Sequence, residues 1–147
     1  MNAASRERRL VFAIPGDIDT RSGGYGYDRR MIEELRAIGW TVEHLQLPGG
    51  FPEPSESELA ETAEKLAALA DDSLVLIDGL AFGAMPAIAM EEATRLRMIA
   101  LVHHPLALES GIPAGVAERL RKSEMTALGA AKGVVVTSPS TARTLVS

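Results

Sequence analysis

Apolar residues in this chain fall into short blocks with two alternating rhythms. Leu10-Val11-Phe12-Ala13-Ile14 is apolar at every position, which suits a strand buried on both faces, as strands of parallel sheets are. The stretch Tyr27 to Ile38 then spaces its apolar residues as one face of a helix does. Gly39 follows as the expected left-handed cap of that helix. Thr41 to Leu47 reads as a second strand, and Pro48 to Pro54 as a loop. Ser55 or Ser57 is placed to cap the next helix, with acidic residues in the first turn where the helix dipole favours them. Leu59, Ala63, Leu66, Ala67 and Ala70 form its apolar face, and Asp71-Asp72 stops it.

The same alternation continues to the end of the sequence. Ser73 to Asp78 is a third strand, followed by a helix of small residues from Phe82 to Arg95 in which Pro86 is tolerable only near the first turn. Met98 to Val102 is the fourth strand and runs into the polar segment His103 to Gly111. A helix from Pro113 to Leu128 leads to a fifth strand, Gly133 to Thr137, and Ser138 to Leu145 opens another helix. Strands alternating with helices imply an α/β fold: a Rossmann-like, doubly wound parallel sheet of order 3-2-1-4-5 with Leu10 to Ile14 central. Ligands of such sheets bind beyond the carboxyl ends of the strands at the switch point. With this order the glycine-rich turn after the first strand and the segment His103 to Gly111 after the fourth should wall one cleft.

Composition narrows the classes of function. At 147 residues, the chain fits one domain, residues 1 to 147. It has no cysteine, which excludes disulfides, thiolate metal sites and a thiol nucleophile and makes the cytoplasm the default location. A net charge of -5 argues against a general nucleic-acid binder. No apolar run approaches the about 20 residues needed to cross a bilayer, and Met1 to Arg9 lacks the apolar centre of a signal peptide.

Candidate chemistry sits at the ends of the strands. Gly23, Gly24 and Gly26 lack a Cβ, so backbone N–H groups there can approach an anion at the start of the following helix; a plain surface turn explains the glycines equally well. A dinucleotide fingerprint is rejected, because Gly24-x-Gly26 lies about ten residues beyond Ile14, Arg29 stands where a third glycine belongs, and the second strand ends in Gln46-Leu47 rather than an acid. Neither a phosphate loop of the G-x-x-x-x-G-K-[ST] type nor a G-x-S-x-G nucleophile elbow is present. His103 ends a strand, where a histidine is either a hydrogen-bonded structural residue or a functional one. The pair His103-His104 suggests a metal, but no third ligand has convincing spacing, so none is expected. Asp17-Ile18-Asp19 has the D-x-D pattern of some metal-dependent sugar transferases yet reads as a solvated turn. Asp78 faces the crevice or caps a turn, and Glu109 faces a ligand or is a loop residue.

Three segments together carry a resemblance. Ser22-Gly23-Gly24-Tyr25 before a helix ending Glu34-Leu-Arg-Ala-Ile-Gly-Trp40, Leu101-Val-His-His-Pro105, and Val134-Val-Val-Thr-Ser138 resemble, in order and spacing, the N-terminal acceptor-side domain of GT-B glycosyltransferases of the family 4 type. The resemblance covers nearly the whole chain. It implies a nucleotide-sugar-dependent transferase, retaining and without a metal or other cofactor. Its donor is recognised mainly by a second domain and its acceptor is a small molecule, lipid or glycan. Peripheral membrane association of the full-length enzyme is compatible with that class. By the same resemblance, this half alone is inactive, His103 is the catalytic-site histidine that touches the donor sugar, and Gly23 and Gly24 amides lie near the donor diphosphate. Tyr25, Asp78, His104, Glu109 and Ser138 complete the expected substrate-binding set, although His104 occupies a position often held by an acid. The alternative is a stand-alone flavodoxin-like or receiver-like module that binds a small anion at the glycine turn.

Overall fold

The computed structural model describes residues 8–18, 23–109 and 111–146. The stretch from Asp19 to Ser22, which includes part of the expected glycine turn and the second acid of the D-x-D pattern, lies outside them. The strands are β1 (Arg9–Pro15), β2 (Thr41–Leu47), β3 (Leu74–Asp78), β4 (Arg97–Val102) and β5 (Gly133–Val136). The helices are α1 (Gly23–Ala37), α2 (Glu56–Ala67), α3 (Gly79–Phe82), α4 (Pro86–Glu92), α5 (Ala114–Ala130) and α6 (Pro139–Val146). All strand pairs are parallel, as expected, and β1 is internal with β2 and β3 on its two sides.

The strand order is 2-1-3-4-5, not 3-2-1-4-5. Burial gives the physical reason. In β3, Val75, Leu76 and Ile77 are all buried, so the strand needs cover on both faces and neighbours on both edges. By contrast, β2 exposes Thr41, Glu43 and Gln46, a pattern suited to an outer strand that water can reach. The switch point therefore falls between β1 and β3, and β3 lies between the two strands expected to be neighbours.

Two apolar layers sandwich the sheet. Phe12, Ile14, Leu76 and Leu101 point to one face, where Ile32 of α1 covers them. Ala13, Val75, Ile77, Met98 and Ala100 point to the other, beneath Leu66 of α2, Ala89 of α4 and Ala127 of α5. Burial of each such leucine or isoleucine stabilises the fold by roughly 1.5–3 kcal/mol relative to exposure. Among the described residues, no helix is long and apolar enough to cross a membrane.

Local chemistry sets the element ends. Gly39 takes the left-handed conformation at φ +101°, closing α1 as expected. Ser55 caps α2 in a reciprocal capping box with Glu58, so Ser55 rather than Ser57 holds that position. At its start, α1 differs from expectation: the glycines form its first turn instead of a loop before Tyr27. Tyr25 donates its hydroxyl hydrogen to the Pro15 carbonyl and Arg29 bonds the Ile18 carbonyl, which ties this first turn to the end of β1. The expected helix from Phe82 to Arg95 is shorter, spanning Pro86–Glu92 as α4, and Phe82 instead closes the separate α3. Met85, preceding Pro86, sits at φ -132° and ψ 56°, because a residue before proline is pushed out of the helical region.

At the start of α3, Gly79 passes close to β4. A Cβ there would lie 3.0 Å from the Leu101 carbonyl oxygen and 3.2 Å from Val102 Cα, both backbone atoms. Gly79→Ala should therefore destabilise the fold by about 1–3 kcal/mol through overpacking, measured by urea denaturation. Unchanged stability would show that α3 moves away from β4 at no cost.

Candidate functional site

Three elements deliver one polar cluster to the carboxyl edge of the sheet. Asp78 is the last residue of β3, and its Oδ1 accepts from the Leu80 N–H at 2.9 Å, capping α3. His103 follows the last residue of β4. Asp28 stands on α1, on the same face as Tyr25 and Ile32, and is turned into the protein. Both aspartates are fully buried, whereas the His103 side chain keeps 18% of its surface exposed. His103 Nε2 lies 3.0 Å from Asp28 Oδ1 and 3.4 Å from Asp78 Oδ2. Asp28 Oδ2 and Asp78 Oδ2 have no hydrogen-bond partner.

The surroundings fix the histidine from several sides. Thr137 and Thr141 both donate their hydroxyls to the His103 carbonyl, at 3.3 and 3.0 Å. Tyr27 meets the imidazole edge-on, with ring centroids 5.3 Å apart and planes at 72°. Two carboxylates facing one ring nitrogen settle its charge. Burial opposes a charged imidazole, but the hydrogen bonds and charges of Asp28 and Asp78 outweigh it and push His103 up to about 9. Burial likewise raises Asp28, to about 7, helped by the neighbouring Asp78 and opposed by His103. In Asp78, burial is outweighed by the nearby His103 and Asp28 side chains and by the bond from the Leu80 N–H, so this carboxyl is held below its usual value. Tyr25 is raised by burial and by the charges of Asp78 and Asp28. At neutral pH the cluster is thus an imidazolium between an ionised Asp78 and an Asp28 whose affinity for a proton is raised.

Of the residues singled out in the sequence, His103 and Asp78 meet directly, and Tyr25 lies within reach of the aspartates' charges. Asp78 bonds Leu80 through Oδ1 and turns Oδ2 to within 3.4 Å of His103, so it faces the histidine and not the open crevice. Gly23 and Gly24 begin α1, the helix that carries Asp28. His104 and Glu109 pair with each other at 2.8 Å on the segment after β4, with His104 about half exposed. Ser138 accepts from the Thr141 N–H at 3.1 Å and donates to the Thr141 hydroxyl at 3.0 Å, so its contacts run to the residue that pins the His103 carbonyl. Asp28 is the residue the sequence reading missed. Its signal was present: an acid three residues after Tyr25 and four before Ile32 falls on the apolar stripe of α1.

Asp28, Asp78 and His103 are also the one group among the described residues able to converge on a metal ion, with their ligand atoms all within 4.8 Å of one another. A metal would have to replace the proton that His103 Nε2 shares with the carboxylates. A surface concavity of about 970 Å³ lies at the opposite edge of the sheet among Arg9, Thr41, Asp72 and Arg97, and contains none of these residues. A scan against protein-family models and a search of curated proteins gave no match.

The cluster predicts how stability depends on pH. The folded chain holds a proton on His103 that an unfolded chain releases above about 6.5, so this contribution is complete below that pH and is lost as pH rises through about 9. Asp28, raised to about 7, acts in the same direction at lower pH. Unfolding free energy from urea titrations should fall between pH 7 and 9 with a limiting slope of ~1.4 kcal/mol per pH unit. His103→Gln should flatten that stretch. Parallel profiles for the two proteins would show that the ring is not held charged.

Proposed function

We propose that this chain is the acceptor-side domain of a nucleotide-sugar-dependent glycosyltransferase of GT-B type. A second domain supplies nucleotide recognition, and the acceptor is a small molecule, lipid or glycan. One observation carries the reading. The helix that opens with Gly23-Gly24-Tyr25 and the histidine after β4 are far apart in sequence, yet Asp28 and Tyr27 of that helix touch His103 directly. Two of the three segments that carry the resemblance therefore meet, although β3 intervenes between their strands.

The chemistry suits transfer of a sugar. Cleavage of a glycosyl diphosphate leaves negative charge on the departing group, and a fixed cationic donor with N–H groups at a helix start stabilises such charge without reorganising. His103 supplies the cation. Its remaining ring nitrogen, Nδ1, makes no hydrogen bond among the described residues, so it is the atom offered to a sugar or phosphate oxygen. The raised proton affinity keeps that donor charged through the neutral range.

In a polypeptide carrying this domain with its donor-binding partner domain, His103→Ala should lower kcat by ~10²-fold or more, the scale of losing one positioned polar group, while circular dichroism stays unchanged. Normal turnover would make His103 structural.

The second reading, a small-anion module, draws on the strand order 2-1-3-4-5, which is that of flavodoxin-like and receiver folds. A receiver, however, needs an accessible aspartate at the end of β3, and Asp78 is fully buried. A lysine is also missing after β5, where Thr137 and Ser138 stand. Incubation with acetyl phosphate separates the readings: a phosphoryl mass gain on Asp78 would favour the module, and an unchanged mass agrees with the transferase.

A further inference from the structure

We propose that Asp28 is a positioning residue: by accepting the Nε2 hydrogen of His103 from inside the protein, it turns the ring so that Nδ1–H is the donor presented at the carboxyl edge of the sheet. The proposal rests on the functional reading above only in taking His103 as the group that meets the ligand.

The division of labour between the two aspartates supports it. Asp78 has a task of its own, because its Oδ1 caps α3 through Leu80, and its other oxygen lies 3.4 Å from His103 Nε2. Asp28 has no such task. Its shorter contact, 3.0 Å, goes to His103, and its second oxygen is buried without a partner. A fully buried carboxylate is costly unless it is paired and hydrogen-bonded. Among the described residues, the histidine is the one basic side chain within hydrogen-bonding distance of this acid on the apolar face of α1.

The rest of the ring's surroundings leave its orientation to Asp28. The backbone of His103 is held through its carbonyl by Thr137 and Thr141, which fixes where the side chain starts but not how the imidazole is turned. Tyr27 packs against the ring edge-on and contributes no fixed charge. Among the described residues, the titratable groups around the ring are Tyr25, Tyr27 and Asp28 from α1 and Asp78 from β3; His104 and Glu109, on the segment after β4, are engaged with each other. Without Asp28, either ring nitrogen could serve Asp78, and the donor facing the ligand would no longer be defined. Fixing a ring tautomer through the hydrogen bond made by its other nitrogen is the usual way in which a histidine is given one role.

The test reads the ring directly and needs no sugar or nucleotide. The chain has three histidines, so long-range nitrogen–proton spectra of the labelled protein resolve each ring through a pH titration. In the wild type, once His103 has lost its charge, the neutral ring should keep its hydrogen on Nε2. Asp28→Asn, which still offers an oxygen, should keep that tautomer but bind the proton at least tenfold more weakly. Asp28→Ala should give a mixture of both tautomers. A wild-type ring carrying its hydrogen on Nδ1, or a folded Asp28→Ala protein with unchanged tautomer and titration, would overturn the proposal. If Asp28→Ala does not fold, the wild-type tautomer and the Asn variant still decide. Stoichiometric Zn²⁺ that strips the Nε2 hydrogen and shifts that nitrogen would make Asp28 a metal ligand and also overturn it. Loss of sugar transfer with the tautomer as expected would count against the functional reading alone.

Discussion

Two carboxylates cannot be placed in an apolar interior without compensation, and in this chain one imidazole nitrogen provides it. Asp28 and Asp78 have no exposed surface, and among the described residues no lysine or arginine side chain bonds to either. Among the described residues, a protonated His103 is therefore the cation that offsets their charge within hydrogen-bonding distance. Removing one member of such a group leaves an uncompensated buried charge, which typically costs about 3–5 kcal/mol. The same contact joins α1, β3 and β4. It consequently fixes where the glycine-rich start of α1 stands relative to the strand ends.

The sheet order makes this junction available. With β3 beside β1, Asp78 arrives next to β4, and Gly79 lets the chain turn against Leu101 and Val102 without a side chain in the way. Had β3 lain outside β2, as the alternating pattern first suggested, Asp78 and His103 would stand several strands apart. The fold thus places acid and base together, and the packing of Ile32 on Phe12 and Leu76 brings the second acid down from the opposite layer.

Much of this was legible in the sequence, for identifiable reasons. Unbroken apolar runs such as Leu10 to Ile14 gave buried parallel strands, because only strands covered on both faces need them. Gly39 and the pair Ser55 or Ser57 marked helix ends through backbone conformation and capping, which are local effects, whereas the helix start at Pro86 was read as the interior of a longer helix. His103 and Asp78 were visible as polar residues at strand ends. The strand order was not legible, because it depends on which edge each strand prefers; the exposed Thr41, Glu43 and Gln46 of β2 against the buried Val75 to Ile77 of β3 were the relevant contrast. Nor was the tie between α1 and His103, since a bond spanning 75 residues leaves no trace in local spacing. The single hint was an acid on a helix stripe otherwise reserved for the core.

The central claim is that a ligand with sugar and phosphate oxygens meets this chain at the start of α1 and at His103. Chemical-shift mapping with glucose 1-phosphate tests it most directly, since this probe carries the reacting part of a donor without its nucleotide. Half-saturation at millimolar concentration, about -4 kcal/mol, is sufficient for such mapping. The account predicts that the amides from Gly23 to Asp28 and the His103 ring shift together along one saturable curve, while His103→Gln abolishes the response. Shifts confined to the opposite edge, around Arg9, Thr41 and Arg97, or no saturable shift at Gly23 to Asp28 and His103, would contradict it.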